Sequence, residues 1–211
     1  MAREYLDEKL LRIRQQKADV AMEEATEVII AKEIADQNIT DGQALIFGEN
    51  VSFVPRKFLD NRLEIILPKN WSDFPEELAK LKYPYQARPP IILTDPTTAI
   101  NFTINHTVNL LRQDEEEIAG FARDMITMTN KATKARFLED GIVEINGLWV
   151  AWYDFFVPSL GEDIYNFVFC TSLENRALIL SFNCLERQEN RWKSVALEIM
   201  QTIKVASREI E

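Results

Sequence analysis

The sequence predicts an α+β fold in which an antiparallel β-sheet, made of two hairpins and a four-stranded meander, is flanked by two helices. Three observations carry this prediction. Hairpin turns between residues 137 and 184 agree on one apolar face, two amphipathic stretches border that region, and residues 2–37 contain neither glycine nor proline. At 211 residues, 46% of them hydrophobic, the chain suits one domain with an appendage. We expect a helical arm over 1–40, one α+β domain over 45–205 and a tail over 206–211.

The arm is predicted as an extra long N-terminal helix. Its apolar residues recur at helical spacing, as Leu6, Leu10, Ile13, Ala21, Ala25, Val28 and Ala35. The stripe is narrow and is interrupted at Lys17 and Lys32. A long helix with a narrow stripe serves as an arm or an oligomerisation element, which here predicts a homo-oligomer formed through residues 2–37. The alternative is a helix that lies on the surface of the domain.

The first hairpin of the domain is predicted from Val51–Pro55 and Arg62–Leu67, which carry apolar residues at alternate positions. The run that begins at Pro68 ends the second of these strands. Asp73, with a glutamate three residues later, predicts the N-cap of a short helix that reaches Leu81. We expect the proline-rich segment Lys82–Pro90 to be an extended loop.

A second hairpin is predicted from Ile91–Thr94 and Ala99–Asn105, on either side of an Asp-Pro turn. Asp114, followed three residues later by Glu117, predicts the start of the strongest helix in the chain. The apolar face of this helix is formed by Ile118, Phe121, Ala122, Met125, Met128 and Ala132.

The meander is the most specific part of the prediction. Asn146-Gly147 is a two-residue turn that places Val143 opposite Val150. The next two turns place Trp152 opposite Phe169 and Phe167 opposite Phe182. Because opposed residues share a face of the sheet, the turns build one apolar face from Val143, Val150, Trp152, Phe156, Phe167, Phe169, Leu178, Leu180 and Phe182. A helix over Asn190–Val205 is expected to help cover the sheet.

The net charge, the cysteines and the N-terminus limit which partners and which cellular compartment we expect. A net charge of −10 without a basic patch argues against binding to nucleic acid. The predicted register places Cys170 and Cys184 about five rungs apart, roughly 15 Å, so both thiols are expected to be free. The N-terminus has no secretory h-region and no stretch is long enough to span a membrane. We therefore expect a cytoplasmic protein that does not bind membranes.

The sequence gives little support for an enzyme. It lacks the common nucleophile, phosphate-loop and zinc-protease motifs, so no cofactor or metal is expected. Its single histidine, His106, is interpreted as structural or surface-exposed. Asp154 is the exception, because the predicted register puts it on the apolar face, where a carboxylate is paired or has a raised pKa. The alternatives are a bulge that turns Asp154 outward and a site near the sheet edge that reaches solvent.

Two surfaces combine aromatic, amide and basic side chains in the way that interfaces do. One is the second face of the meander, opposite the apolar face, which also carries Glu144 and Ser181. The other is the Lys82–Pro90 segment. From them we take as candidate binding residues Trp149, Tyr153, Phe155, Asn166, Asn183, Tyr83, Tyr85 and Arg88. The second face is either covered by a helix or exposed, and the segment is either an interface or a rigid linker packed on its own domain.

The order of elements resembles the PsbP/MOG/DcrB-like family. The likeness rests on Leu63–Trp71 with its Leu-Pro-x-x-Trp turn, Ile91–Thr107, Ile145–Trp152 and Trp192–Ile203, and it covers roughly residues 45 to 205. The resemblance implies a non-catalytic binding or assembly factor, since relatives include a photosystem extrinsic subunit, a small-GTPase-binding protein and chaperone-like adaptors. Many relatives carry a signal peptide or lipobox, which this chain does not show.

The favoured hypothesis is thus a non-catalytic protein-interaction module, adaptor- or chaperone-like, with a protein partner or a second copy of itself. One alternative is a carrier of a small apolar ligand, which requires a pocket between sheet and helix. The other is an enzyme that uses Asp154.

Overall fold

A computed structural model describes residues 38–46, 48–83 and 88–206. The predicted N-terminal helix and the oligomerisation assigned to residues 2–37 lie outside the described residues, as does Tyr85. The described helices are α1 (Glu76–Lys82), α2 (Glu115–Ala132) and α3 (Glu189–Gln201). The strands are β1 (Gln43–Ile46), β2 (Glu49–Phe58), β3 (Leu63–Pro68), β4 (Ser72–Asp73), β5 (Ile91–Thr94), β6 (Asn101–Leu110), β7 (Arg136–Ile145), β8 (Leu148–Val157), β9 (Ile164–Leu173), β10 (Arg176–Leu185) and β11 (Lys204–Val205).

The strands form two antiparallel sheets rather than the single sheet that the sequence predicted. One contains four strands in the order β1-β2-β3-β11, and the other contains seven in the order β4-β5-β6-β10-β9-β8-β7. The second hairpin joins the meander because β6 pairs with β10. The first hairpin instead turns its apolar residues Leu63, Ile65 and Leu67 into the core that it shares with the larger sheet.

The predicted registers of the meander are confirmed. Val143 pairs with Val150, Trp152 with Phe169, and Phe167 with Phe182. These residues lie on the face of the seven-stranded sheet that contributes to the main core, where most of the predicted apolar residues are fully buried. We call this the core face and the opposite side the second face.

Helix α3 covers the core face. Its buried residues are Trp192, Val195, Ala196, Ile199 and Met200, and the Trp192 ring stacks on those of Trp71 and Phe182 at 5.8 and 5.6 Å. The helix ends at Gln201 and not at Val205 as predicted. The Thr202 hydroxyl donates to the Ile199 carbonyl and accepts from the Ile66 amide, and the chain then pairs with β3 as a short strand.

Helix α2 covers the second face, and its predicted N-cap is confirmed. The Asp114 carboxylate accepts a hydrogen bond from the Glu117 amide at 3.1 Å, which satisfies one of the free amides at the start of the helix. The N-cap predicted at Asp73 is wrong. Asp73 pairs with Leu93 of β5, and α1 begins after Pro75, whose ring fixes φ near the helical value.

Both cysteines are free and buried, as predicted, and they pair across strands with Ile179 and Tyr165. Burial raises the pKa of the Cys170 thiol to about 12. None of the described helices is long and apolar enough to cross a membrane.

Candidate protein-binding surface

Two of the three aromatic residues predicted on the second face, Tyr153 and Phe155, are buried beneath α2. Tyr153 is 2% exposed and Phe155 is 7% exposed, and their rings stack at 5.7 Å. They form a second apolar cluster with Val168, against which Met125 and Ile126 of α2 pack. Because α2 occupies this area, Tyr153 and Phe155 are not available at the surface.

Trp149 and Asn166 lie at the rims of the same face and are half-buried. The Trp149 carbonyl accepts hydrogen bonds from Gln113 and from the Thr171 hydroxyl, which tie β8 and β9 to the start of α2. The Asn166 amide donates to the Ile164 carbonyl at 3.1 Å. Both residues keep part of their surface open, yet the structure does not bring them together with the other candidates.

Helix α1 packs on β5, near the other edge of the seven-stranded sheet. Ala79 is the only buried residue of this helix, and it packs with Phe74, Ile92 and the half-buried Tyr83. Two leucines of α1 face solvent: Leu78 is 42% exposed and Leu81 is 79% exposed. We define the α1 surface as Leu78, Leu81, Tyr83 and Arg88.

Tyr83 also belongs to a buried polar cluster that it forms with Asn101 and Asn183. The Asn101 amide donates to the Asn183 side-chain oxygen at 3.2 Å. The Asn101 side-chain oxygen and the Tyr83 hydroxyl are both buried and have no hydrogen-bond partner of ordinary geometry among the described residues. Burial raises the pKa of Tyr83, and the neighbouring Asn183 side chain partly offsets that effect. The structure thus brings together three of the predicted residues, because Tyr83 contacts Asn183 and, through its carbonyl, Arg88.

Basic side chains border this cluster. Arg88 donates a hydrogen bond to the Tyr83 carbonyl at 3.1 Å. It also lines a cleft of about 410 Å³. The other residues of the cleft are Asp73, Phe74, Glu76, Ala79, Pro89, Pro90, Ile91 and Ile92. The Lys82 ammonium lies 5.7 Å from the centre of the Phe74 ring. Burial lowers the pKa of Lys82, while the charge of Asp95 opposes that effect.

Asp154 lies at the far side of the sheet and is fully buried. Its carboxylate accepts hydrogen bonds from the Tyr165 hydroxyl at 2.9 Å and the Glu139 amide at 2.8 Å, and it pairs with the Lys193 ammonium at 2.8 Å. Both placements that would have taken Asp154 to solvent are therefore wrong. A bulge does exist, but it interrupts the partner strand β7 between Phe137 and Asp140.

The Asp154 cluster holds several elements of the fold together. It links β7, β8, β9 and α3 through one carboxylate, and Lys193 also contacts Glu139 at 2.9 Å. Burial and the Asp154 charge both raise the pKa of Tyr165, so its hydroxyl stays protonated and donates. All three contacts to the carboxylate come from the protein itself.

His106 is also engaged by the protein, since its Nε2 atom lies 3.0 Å from the Leu173 carbonyl oxygen. Within the described parts of the chain, no group of three or more His, Cys, Asp or Glu side chains is placed to hold a metal ion.

Asn101 and the two leucines of α1 were missed by the sequence prediction. The alternation of β6 could have placed Asn101 on the second face, because Phe102 and Ile104 lie on the core face. No sequence signal shows that α1 directs its leucines to solvent, since a helix of this length has too few residues to define its buried side.

The comparisons with known proteins support the fold. No protein-family model and no curated protein matches the chain. A solution structure of cyanobacterial PsbP (CyanoP) from Synechocystis sp. PCC 6803 is similar with a TM-score of 0.55 and 11% identity, over 74% of this chain and 94% of that one. A structure of a point mutant of the protein Mog1 is similar with a TM-score of 0.51 and 11% identity, over 75% of this chain and 98% of that one. The described domain has the PsbP/Mog1-like fold that the sequence resemblance implied.

Proposed function

We propose that this domain is a non-catalytic protein-interaction module that binds a protein partner through the α1 surface. The observation that carries the proposal is the orientation of α1, which exposes Leu78 and Leu81 and buries only Ala79. A surface helix ordinarily turns its apolar side chains towards the core. Helix α2 does so on the same face of the sheet, where Ile118 is fully buried.

The composition of the α1 surface supports this function. It combines leucine, tyrosine and arginine side chains, and aromatic and arginine residues are enriched at protein interfaces. The Asn101 oxygen and the Tyr83 hydroxyl are both buried, so a partner would have to open the cover over them before a peptide group, with its one donor and one acceptor, could pair with them.

The likeness to CyanoP and Mog1 supports the fold alone and does not identify a partner. Two buried free thiols fit the predicted cytoplasmic location. Adaptor or chaperone-like activity would follow from a partner bound at this surface. Self-association through residues 2–37 remains a separate prediction, tested by light scattering of the full chain and of a chain lacking residues 1–37.

The carrier alternative gains no support from the core. The space between α3 and the seven-stranded sheet is filled by fully buried side chains such as Phe182, Val195 and Ile199.

A site-specific photo-crosslink tests the proposal. The photoreactive residue p-benzoylphenylalanine replaces Leu81 in one chain and Leu160 in a control, since Leu160 is fully exposed in the β8–β9 loop. Irradiation in the native cytoplasm is expected to give one protein adduct of defined mass from position 81 and none from position 160. Equal labelling at both positions, or none at position 81, would contradict the proposal.

A second substitution ties the adduct to the surface. In the chain labelled at position 81, Leu78→Glu is expected to reduce the adduct at least about 10-fold, because a desolvated carboxylate opposes an apolar contact. Leu138→Glu is the matched control, since Leu138 is 39% exposed on β7. We expect this control to leave the yield unchanged.

A further inference from the structure

Strand β7 forms one edge of the seven-stranded sheet, opposite the edge at β4 that lies near α1. On its outer side, no strand of the described chain pairs with it. An edge strand presents unpaired amides and carbonyls and can accept a further strand, so proteins usually protect such edges.

The two halves of β7 differ in their protection. The first half is bulged between Phe137 and Asp140, and Asp154 holds the bulge by accepting the Glu139 amide. A bulge prevents a regular ladder with a new strand. The second half, Gly141–Ile145, pairs with β8 in unbroken register from Gly141↔Trp152 to Ile145↔Leu148. Its outer side therefore has the regular geometry that strand addition requires.

A groove lies between the free half of β7 and α2. It encloses about 210 Å³ and is lined mainly by small or apolar residues: Ala119, Ala122, Ile126, Gly141, Ile142, Ala151 and Trp152. Since a cavity of roughly 150 Å³ holds a benzene molecule, the groove is large enough for one apolar side chain.

Two charged residues, Arg123 of α2 and Asp140 of β7, also line the groove. Neither makes an ion pair with another described residue. Arg123 offers a guanidinium that binds a carboxylate in a forked geometry. Asp140 on the same rim opposes a run of acidic residues, so the charges favour a ligand with a single carboxylate.

We propose that β7 and α2 form a second docking site, which takes an extended peptide segment of a protein partner. The segment adds to Gly141–Ile145 as an antiparallel or parallel strand and inserts one apolar side chain into the groove. A carboxylate two residues along the segment lies on the same face of the new strand and reaches Arg123. Main-chain hydrogen bonds supply affinity and the groove supplies specificity, which is how strand addition works at other sheet edges. This inference does not depend on the α1 surface.

The test uses a fluorescein-labelled peptide, Ser-Thr-Val-Thr-Leu-Thr-Glu-Thr-Ser, and the full chain. We expect saturable binding by fluorescence anisotropy. Replacing the peptide leucine with alanine, or its glutamate with lysine, should weaken binding at least about 10-fold, which corresponds to about 1.4 kcal/mol. Amide exchange should slow within Gly141–Ile145 and stay unchanged at α1.

Matched variants locate the peptide. Arg123→Glu should weaken binding at least about 10-fold, whereas Lys131→Glu, the same charge reversal on the same helix outside the groove, should not. No saturable binding, equal effects of the two variants, or protection away from β7 would each overturn the proposal. Peptide-independent dimerisation through β7 would overturn it too. Because the photo-crosslink at position 81 reports on the opposite edge, either result stands without the other.

Discussion

Two buried polar clusters, at opposite ends of the seven-stranded sheet, differ in how fully their hydrogen-bonding groups are satisfied. At one side of the seven-stranded sheet, the Asp154 carboxylate has three partners at 2.8–2.9 Å. At the other side, the Asn101 oxygen and the Tyr83 hydroxyl are buried without a hydrogen bond of ordinary geometry among the described residues, and the Asn183 side chain is only an imperfect partner for Tyr83. An unsatisfied buried group costs about 1–3 kcal/mol, so a fold has no reason of its own to keep one.

From this difference we infer that the satisfied cluster has a structural role and that the unsatisfied cluster has a functional one. The satisfied cluster joins β7, β8, β9 and α3, and its loss should weaken the fold. The unsatisfied cluster includes Tyr83, which directly follows α1, and its loss should leave the fold intact. The carboxylate that most resembled a catalytic group in the sequence is thus the more structural of the two features.

The largest expected effect comes from Asp154→Ala. The substitution leaves the Glu139 amide and the Tyr165 hydroxyl without an acceptor and Lys193 without its buried partner. Breaking a buried ion pair costs about 3–5 kcal/mol, and we expect the lower end because Lys193 is 21% exposed. Urea unfolding measures the loss, with the exposed Glu144→Ala as control. A decrease in the unfolding free energy of less than about 1 kcal/mol would show that Asp154 does not hold β7, β8, β9 and α3 together.

A pH dependence should follow from Lys193. Burial alone would lower the pKa of Lys193, but the carboxylates of Asp154 and Glu139 outweigh burial and raise it. A lysine with a raised pKa in the folded state stabilises the fold fully below its ordinary pKa, about 10.4. That contribution disappears as the pH rises through the raised value. The unfolding free energy should therefore fall above about pH 10.4, and less steeply in Lys193→Met. Parallel pH profiles for the two proteins would refute this assignment.

Substitution of Glu189 should have a smaller effect and should stabilise the fold. Burial, together with the nearby Asp154 charge, raises the pKa of Glu189 despite the opposing Lys193. The folded state therefore resists ionisation of Glu189, and stability is lost as the pH rises through the raised pKa. Glu189→Gln should raise the melting temperature at pH 7 and have little effect below about pH 4, where the carboxyl is protonated in both states. Calorimetry at the two pH values measures the two melting temperatures. A higher melting temperature of the variant at both pH values would point to a cause other than the charge of Glu189.

Much of the fold follows from local sequence signals. The turn at Asn146-Gly147 fixes the register of β7 with β8, and the cap at Asp114 fixes the start of α2. The split into two sheets could not be predicted, because the pairing of β3 with β11 joins residues distant in the sequence. The Asp73 cap failed because pairing with β5 outweighed a local capping preference.

The candidate site was harder to predict than the fold. The period-2 pattern correctly separated the two faces, but it could not show that α2 buries Tyr153 and Phe155 while α1 leaves Leu81 exposed. Which residues a helix covers depends on where it docks, and that is set by contacts such as those of Ala79 with Phe74 and Ile92. Alternation likewise placed Asp154 on the core face without revealing Lys193 as its partner.

The claim that the two clusters have opposite roles is tested most directly by Tyr83→Phe. This variant removes one buried hydroxyl and keeps the ring that packs against Phe74 at 6.4 Å. We predict an unfolding free energy within about 0.5 kcal/mol of the parent, together with a weaker photo-crosslink at position 81. A loss of more than about 1.5 kcal/mol, comparable to that of a satisfied buried hydrogen bond, would contradict the account.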